Sequence, residues 1–237
     1  MMNVMLAILA SVLLIQAAPA QSEADRMESA LKKFGNRTYG MYVSGKKAGL
    51  LKMKTRIESE GGRRLAIFED SMTEPATGGT VTGTVTEKAS LDGLRLSSLR
   101  WVSVLDGRRS IESITVEGTQ AVVILEGEKK TLDVPGKTMG ESGLLRRLCA
   151  VEQRKGDILN VDILSHVTHE LESRQLKCDG EVDIEIAGRK QAAFRWREQV
   201  EEGKSGANVK NTYWVSSAGH LVKYIGLGGV EYVLEAK

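Results

Sequence analysis

The sequence is short of the residues on which most enzyme and nucleic-acid sites are built. Its 237 residues include only three histidines and two cysteines, aromatic residues make up 5%, and the formal net charge is +2. A nucleophilic catalyst needs a base beside its serine, threonine or cysteine, and three histidines allow few such pairs. The nearly balanced charge gives no electrostatic reason to expect nucleic acid as a partner. Scarce aromatics disfavour a carbohydrate-stacking surface.

Proline is also scarce, at three residues, and no long run of glycine or serine interrupts the chain, so we expect one domain without a linker. One apolar run does stand out, Val4–Ile15, and Ala18-Pro19-Ala20 follows it with a small-x-small pattern. A membrane span needs roughly 20 apolar residues, so the pattern predicts a cleaved signal peptide over residues 1–20. We expect an exported chain, periplasmic or extracellular, with no membrane span after cleavage.

After residue 20, the spacing of the apolar residues changes once, from the period of a helix to the period of a strand. Residues 21–37 are expected to hold a short N-terminal helix, capped by Ser22 and ended by Gly35, and a lead-in. From residue 38 to residue 237, short runs of alternating apolar and polar residues are separated by glycine-rich turns, which is typical of antiparallel strands. The predicted fold class is mainly β: a single antiparallel meander that forms a curved open barrel or β-roll.

One stretch inside the meander predicts a helix at about 141–153. Thr138 and Glu141 have the spacing of a capping box, and the stretch carries an apolar face at helical spacing, made of Leu144, Leu145, Leu148 and Val151. We expect this helix to cover an end or a face of the sheet.

Side-chain chemistry suggests registers for two hairpins. A three-residue loop at Gly188 would set Ile184 opposite Phe194 and Val182 opposite Trp196, which leaves opposite charges on the other face. The same rule sets Tyr39 opposite Met53 and Met41 opposite Leu51 in the opening hairpin. In the strand at 81–86, Gly83 is expected to mark a bend or a bulge, and the small side chains around it leave room for a cavity.

No cofactor or metal site is predicted. His166 and His169 are three residues apart in a strand-like stretch, so they should point to opposite faces and make a poor chelate. Gly226–Gly229 is followed by no helix and cannot cradle a phosphate. A hydrolase or isomerase would require a pocket that holds His166 or His220 beside a carboxylate.

Cys149 and Cys178 admit two interpretations in an exported chain. A disulfide between them would close a loop of about 30 residues and add on the order of 3–4 kcal/mol. The alternative is two separate buried thiols, and the sequence does not decide between them.

Two stretches carry a resemblance. Tyr39–Gly49, with its aromatic strand and x-Gly-x-Lys-x-Gly turn, resembles the opening strand pair of a family of exported bacterial β-roll proteins of unknown function, an element also found before transglutaminase-like domains. Tyr213–Lys223 is similar to the closing hairpin of that family, and to a hairpin of periplasmic lipoprotein carriers and receptors. The resemblance implies a half-open sheet wrapped around a helix, with a concave apolar face. It implies no catalytic residues.

We therefore expect a non-enzymatic protein that binds an apolar or amphipathic ligand, or a lipidated partner such as a lipoprotein, in the concave sheet. The alternative is a structural or assembly factor of a bacterial envelope complex that acts through protein contacts. The candidate ligand-binding residues are Tyr39, Met41, Leu51, Met53, Leu99, Trp101, Phe194, Trp196 and Trp214. Inward faces of sheets are apolar in any case, so each of them is also a candidate for plain core.

Overall fold

The computed structural model describes residues 22–76, 79–186, 188–199 and 211–235. The predicted signal peptide lies outside these ranges. Helix α1 (Glu23–Phe34) comes first. The Ser22 side chain accepts a hydrogen bond from a backbone N–H of the first turn, and Gly35 ends the helix with a φ of 54°. Both ends of this helix are therefore where the sequence predicts them.

A sheet of 14 antiparallel strands forms the rest of the fold. The strands are β1 (Arg37–Val43), β2 (Lys46–Glu60), β3 (Arg63–Ala76), β4 (Gly79–Ser90), β5 (Leu96–Leu105), β6 (Arg108–Glu117), β7 (Gln120–Leu125), β8 (Glu128–Asp133), β9 (Ile158–Leu164), β10 (Leu171–Ile186), β11 (Arg189–Gln199), β12 (Thr212–Val215), β13 (Leu221–Ile225) and β14 (Glu231–Leu234). Helix α2 (Glu141–Ala150) lies between β8 and β9 in the chain. The predicted fold class, an open antiparallel meander with one inserted helix and one N-terminal helix, is confirmed.

The order of the strands places the first strand and the last strand side by side in the middle of the sheet. It runs β8-β7-β6-β5-β4-β3-β2-β1-β14-β13-β12-β11-β10-β9, so β1 pairs with β14, and β8 and β9 are the edges. Each other pair joins strands that are consecutive in the chain. The sheet is thus two meanders joined along their first and last strands.

The segment before α2 links edge strand β9 to β5. The backbone N–H of Leu96 donates to the carbonyl of Thr138 at 2.9 Å, and that of Met139 donates to Asp162 at 2.9 Å. The N–H of Leu164 returns a bond of 2.9 Å to Met139. Because β5 and β9 lie far apart in the strand order, these bonds require the sheet to curl. Helix α2 packs inside the curl.

Buried side chains of the curled sheet form a core against α2. Leu144 and Leu148 of the helix pack in the largest cluster, together with Phe34 of α1. A second cluster joins β4–β7 to the end of β9 through Leu99, Ile114 and Leu164. The hydrophobic core therefore extends from the helices to the edge of the sheet.

The opening hairpin keeps its predicted inward face but not its predicted register. Tyr39 pairs with Leu51, and Met41 pairs with Gly49, before a bulge that follows Met41. The connection is a two-residue turn at Ser44–Gly45, both with positive φ, and the turn and the bulge together shift the pairing of Tyr39 and Met41 by two residues. A shift of two preserves the face of each side chain, so Tyr39, Met41, Leu51 and Met53 are all buried as expected.

The register predicted for the Gly188 hairpin is wrong. Ile186 pairs with Arg189, so the connection has two residues, and a bulge at Asp179–Gly180 changes the pairing further along. Trp196 consequently faces Cys178 rather than Val182. Opposite charges do meet, but at the bulge, where Arg195 and Arg197 both bind the Asp179 carboxylate. The alternation of apolar residues in the sequence does not indicate this bulge.

Candidate functional site

A cleft of about 520 Å³ opens between α2 and the inner face of the sheet. We refer to it as the cleft. Its wall contains apolar side chains from the sheet, from α2 and from the β9–β10 turn, and four aromatic rings from β5 and β12–β14. The apolar lining is Leu51, Met72, Val85, Leu144, Leu145 and Val167. The aromatic lining is Trp101, Tyr213, Tyr224 and Tyr232.

Three tyrosines form a ladder across neighbouring strands. Tyr213, Tyr224 and Tyr232 are direct register partners on β12, β13 and β14. The rings of Tyr224 and Tyr232 stack with centroids 4.1 Å apart, and those of Tyr213 and Tyr224 are 6.2 Å apart. Burial raises the pKa of all three phenols. The ladder is therefore a neutral, rigid aromatic surface on one side of the cleft.

Gly83 makes room for the Trp101 ring. Any Cβ at this position would overlap atoms of the indole. The pairing of β4 with β3 and β5 is regular at Gly83, and the register shift in β4 lies between Lys88 and Ala89 instead. The predicted bend or bulge at Gly83 is therefore wrong. The glycine serves the close approach of a ring that lines the cleft.

Helix α2 is fixed to the sheet by a buried ion pair. Both nitrogens at the end of the Arg146 side chain bind the Asp70 carboxylate, at 2.7 and 2.5 Å, and Arg146 has no exposed surface. The Ser142 hydroxyl donates to the same carboxylate at 2.6 Å. The guanidinium also lies 4.8 Å from the ring centroids of Phe34 and Phe68. These contacts fix the face of the helix that lines the cleft.

The N-terminus of α2 is capped from the sheet, not by the predicted capping box. The cap residue is Gly140, which has no side chain to offer, while the Thr138 hydroxyl donates to the carbonyl of Pro135. The buried carboxyl group of Glu87 accepts a hydrogen bond of 3.1 Å from the N–H of Gly143. Burial raises the pKa of Glu87 to about 8. A Cβ at Gly140 would overlap this carboxyl, so the glycine allows it to approach the helix end.

The β9–β10 turn brings two histidines into the cleft wall. Strand β9 ends at Leu164 rather than at 167, so the expectation that His166 and His169 point apart on a strand is wrong. The Ser165 hydroxyl accepts from the N–H groups of Val167 and Thr168, and His169 adopts a positive φ of 56°. The turn thus presents both rings on one side.

Each histidine lies beside a carboxylate and against the β5–β6 wall. His169 Nε2 is 2.8 Å from Glu112 Oε2. His166 packs on Trp101 with centroids 5.0 Å apart, and its Nδ1 lies 3.8 Å from Glu141 Oε2. That Nδ1 is buried and has no hydrogen-bond partner among the described residues. A hydrolase or isomerase is expected to require a pocket that holds His166 or His220 beside a carboxylate, and the cleft does hold His166 beside Glu141.

The positive charge of Arg174 is shared among three carboxylates. Its guanidinium lies 2.6 Å from Glu172, 3.4 Å from Glu141 and 3.7 Å from Glu198. Its side chain is only 7% exposed. Arg174 therefore orients Glu141 at the cleft, but it brings less positive charge than the carboxylates around it carry.

The nine candidate ligand-binding residues fall in three places. Leu51 and Trp101 line the cleft. The side chain of Trp214 lies under Lys223, 5.5 Å from its Nζ, and Phe194 is half-buried against the main cluster. The other five are buried core residues, namely Tyr39, Met41, Met53, Leu99 and Trp196.

Cys149 and Cys178 are free thiols in this structure, and both are buried. Burial raises the pKa of the Cys149 thiol to about 12. His220, the third histidine, donates its backbone N–H to the Ser216 hydroxyl in the turn before β13, away from the residues that line the cleft.

Most of the polar lining carries only a weak signal in the sequence. Glu74, Glu112, Glu141 and Arg174 are ordinary charged residues of strands and of a helix end, and nothing in their spacing brings them together. The tyrosine ladder was easier to predict from the sequence, because Tyr213 and Trp214 must face opposite sides of β12. A correct register for the last three strands would have selected the tyrosine over the tryptophan.

Two classes of site find no candidate in the described ranges. None of the helices there is long and apolar enough to cross a membrane. Groups of three or more histidine, cysteine, aspartate or glutamate side chains arranged to hold a metal ion are also absent from the part of the chain that the structure describes.

Comparisons with known proteins identify the fold. No family profile and no curated protein matches the sequence. A β-barrel-like protein of the domain of unknown function DUF1849 from Brucella abortus superposes with a TM-score of 0.54 at 13% identity, over 84% of this chain and 94% of that one. A DUF1089 family protein from Pseudomonas aeruginosa has a TM-score of 0.41 at 13% identity, over 75% and 90% of the two chains. The link to transglutaminase-like domains stays a prediction. At this identity the first likeness shows the fold alone, and the chain has the β-barrel-like fold of a domain of unknown function.

Proposed function

We propose that this is an exported, non-enzymatic protein that binds an apolar or amphipathic ligand, or the lipid chain of a lipidated partner, in the cleft. The cleft itself is the observation that carries the proposal. Its volume of about 520 Å³ lies within the range of roughly 300–1,000 Å³ that is usual for small-molecule sites. The apolar run at Val4–Ile15 supports export.

The rigidity of the cleft wall supports binding of a ligand in a preformed site. The tyrosine ladder stands on three hydrogen-bonded strands, and the Asp70–Arg146 pair fixes the opposite wall, α2. A preformed site avoids the entropy cost of ordering its walls when the ligand binds.

The neighbours of the histidines favour binding over catalysis. Within the described ranges, no serine or cysteine side chain hydrogen-bonds to the ring of His166 or His169, whose neighbours are carboxylates and an indole. Acyl transfer by a nucleophile and base requires such a pair.

Binding is tested with N-phenyl-1-naphthylamine, a neutral dye that fluoresces in apolar sites. We expect the folded protein to bind it with one-to-one stoichiometry. Leu145→Trp should lower the affinity about tenfold or more, because the larger ring fills the cleft. Leu105→Trp is the matched control, since Leu105 is 43% exposed and outside the cleft lining. Absence of dye binding by folded protein, or equal loss in both variants, would contradict the proposal.

An envelope assembly role is the second candidate. Ile111 and Ile124 are 42% and 41% exposed on neighbouring strands β6 and β7, which is a large apolar exposure for isolated surface positions. A stoichiometric protein partner in envelope extracts, lost on Ile111→Ser with Ile124→Ser, would favour this role if the cleft binds no dye.

A further inference from the structure

The charges of the cleft lining are unequal. Of the described residues, four that line the cleft carry a carboxylate, namely Asp70, Glu74, Glu112 and Glu141, and one carries a guanidinium, Arg174. One of the negative charges is compensated locally, since Asp70 is paired with Arg146, and a second carboxylate, Glu112, lies 2.8 Å from His169 Nε2. The balance among the remaining groups decides what kind of head group the cleft accepts.

Among the residues that the structure describes, no spare positive charge remains at the cleft. Arg174 is the partner that Glu141 shares with Glu172 and Glu198, and the closest of the three to its guanidinium is Glu172. The Glu74 side chain forms no hydrogen bond or ion pair with any residue that the structure describes. An anionic head group would therefore meet excess negative charge, at a cost that partial burial increases.

Both under-compensated carboxylates act on the tyrosine ladder. Negative charge from Glu74 and Glu141 contributes to the raised pKa of Tyr232, after burial, which is the largest cause. Glu141 contributes in the same way at Tyr213. The two carboxylates and the three tyrosines of the ladder line the same cleft. Carboxylates beside an apolar, aromatic wall are surroundings that favour an organic cation over an anion.

His166 offers a further polar contact at the same place. Its Nδ1 is buried without a hydrogen-bond partner in the described part of the chain, 3.8 Å from Glu141. Buried polar atoms normally have a partner. A ligand with N–H groups beside Glu141 could supply one.

We propose that the ligand of the cleft is a cationic amphiphile, with an amine or ammonium head among Glu74, Glu141 and the tyrosine ladder and an apolar part on Leu144, Leu145 and Trp101. This inference rests on the proposed function and specifies its ligand. A fatty acid is disfavoured, because Glu74 and Glu141 would repel its carboxylate, whereas they would attract an ammonium group. The same apolar chain with a neutral head should bind with intermediate affinity.

Three ligands with the same ten-carbon chain test the head group. Decylamine, decanol and decanoate compete for the cleft with N-phenyl-1-naphthylamine near pH 7, where the amine is charged and the carboxylate is ionised. We expect decylamine to bind about tenfold more tightly than decanoate, which corresponds to one favourable charge interaction at a partly exposed site. The difference should shrink as salt is added.

Carboxylate variants identify the groups responsible. Glu74→Gln should weaken decylamine binding about three- to tenfold and leave decanol binding unchanged. Glu181→Gln, on the exposed surface of β10, is the matched control and should change neither. Circular dichroism confirms that each variant is folded.

The outcomes separate this inference from the function on which it rests. If none of the three ligands displaces the dye and the dye itself does not bind, the proposed function fails. If the dye binds and the three ligands compete within twofold of one another, the cleft binds apolar chains and the cationic head is wrong. Tighter binding of decanoate than of decylamine would also overturn the inference.

Discussion

Arg146 and Glu87 place ionisable groups beneath α2, where apolar side chains would be expected. The charge of Arg146 is paired with the Asp70 carboxylate, as a buried charge must be if it is not to be costly. One oxygen of Glu87 accepts a hydrogen bond from the N-terminal backbone of the helix, while the other has no hydrogen-bond partner among the described residues. These contacts tie the position of α2 to two strands, β3 and β4. They also determine where Glu141 and Leu145 meet the cleft.

Removal of Arg146 should be far more costly than removal of its neighbour. Arg146→Met leaves Asp70 buried without its counter-charge, and we expect a loss of about 3–5 kcal/mol in the free energy of unfolding. Arg147 pairs with Glu23, whose side chain is 48% exposed, so Arg147→Met should cost less than about 1 kcal/mol. Urea unfolding followed by circular dichroism measures both. Equal costs would show that the buried pair does not hold the helix.

The raised pKa of Glu87 predicts a pH dependence of stability. Its pKa in the folded chain is about 8, above the value of 4.5 for an unburied glutamate. The folded state therefore binds the proton more tightly, so the contribution of Glu87 to stability is complete below pH 4.5 and is lost as the pH rises towards 8.

Glu87→Gln should remove this contribution. The variant should be more stable than the parent at pH 8 by roughly 1–3 kcal/mol, with little difference at acid pH. Urea midpoints of the two proteins across the pH range give the comparison, and Glu181→Gln serves as the control. A stability difference that does not vary with pH would contradict the burial of a titrating carboxyl.

The two thiols give a third prediction at this scale. Both are buried and unbridged in the structure, so a disulfide reagent should label neither in the native protein. After denaturation without reductant, two thiols per chain should react. If the denatured, unreduced protein shows none, the chain carries the disulfide that an exported protein permits.

For strands and helices, the alternation of apolar and polar residues locates nearly every strand. It does not determine the register in which neighbouring strands pair. The bulge at Asp179–Gly180 lets β10 continue as one strand from Leu171 to Ile186. Two-residue turns and bulges shift pairing without changing which residues are apolar. Both registers were therefore wrong, but the opening hairpin keeps its predicted faces, whereas Phe194 pairs with Glu181 rather than with Ile184.

The cleft was predictable in outline but not in composition. The family resemblance implies a concave apolar face, and apolar side chains do line the cleft. The Glu–His and Glu–Arg pairs inside it depend on how far the sheet curls, which brings the β9–β10 turn against β5 and β6. Residues such as Glu112 and His169 are 57 positions apart, and no local pattern relates them.

Gly83 offers a test of how an element shapes the cleft. Gly83→Ala places a Cβ against the Trp101 ring, so the ring must move, and we expect a loss of about 1–3 kcal/mol in stability. The fluorescence of Trp101 and the affinity for the neutral dye should change with it. Gly136→Ala is the control, because a Cβ there meets no atom within 4 Å. An unchanged emission spectrum in the Gly83 variant would place the indole elsewhere.

For the whole molecule, the pairing of β1 with β14 makes a single sheet from two meanders. One meander contains β1–β8 and the other contains β9–β14, and the two share only this one pair of neighbouring strands. The main core cluster includes residues from both, such as Met53 and Trp196. The cleft also draws its walls from both, since the tyrosine ladder lies on the second meander and Trp101 on the first. Its geometry therefore depends on the joint at the centre of the sheet.

Proline substitution distinguishes this central joint from an edge. Val233 pairs with Gly40 of β1 and with Lys223 of β13, and Tyr232 likewise has partners on both sides, so every N–H of β14 near the joint belongs to a ladder. Tyr232→Pro and Val233→Pro should each cost about 3 kcal/mol or more.

Strand β8 is an edge, where successive N–H groups alternate between its one partner, β7, and solvent. Of Lys129→Pro and Lys130→Pro, one should therefore be strongly destabilising and the other nearly neutral. Thermal unfolding of the four variants gives the pattern. If both prolines in β14 were tolerated, the β1–β14 pair would not join the two meanders. The rigidity inferred for the walls of the cleft would then lack its structural basis.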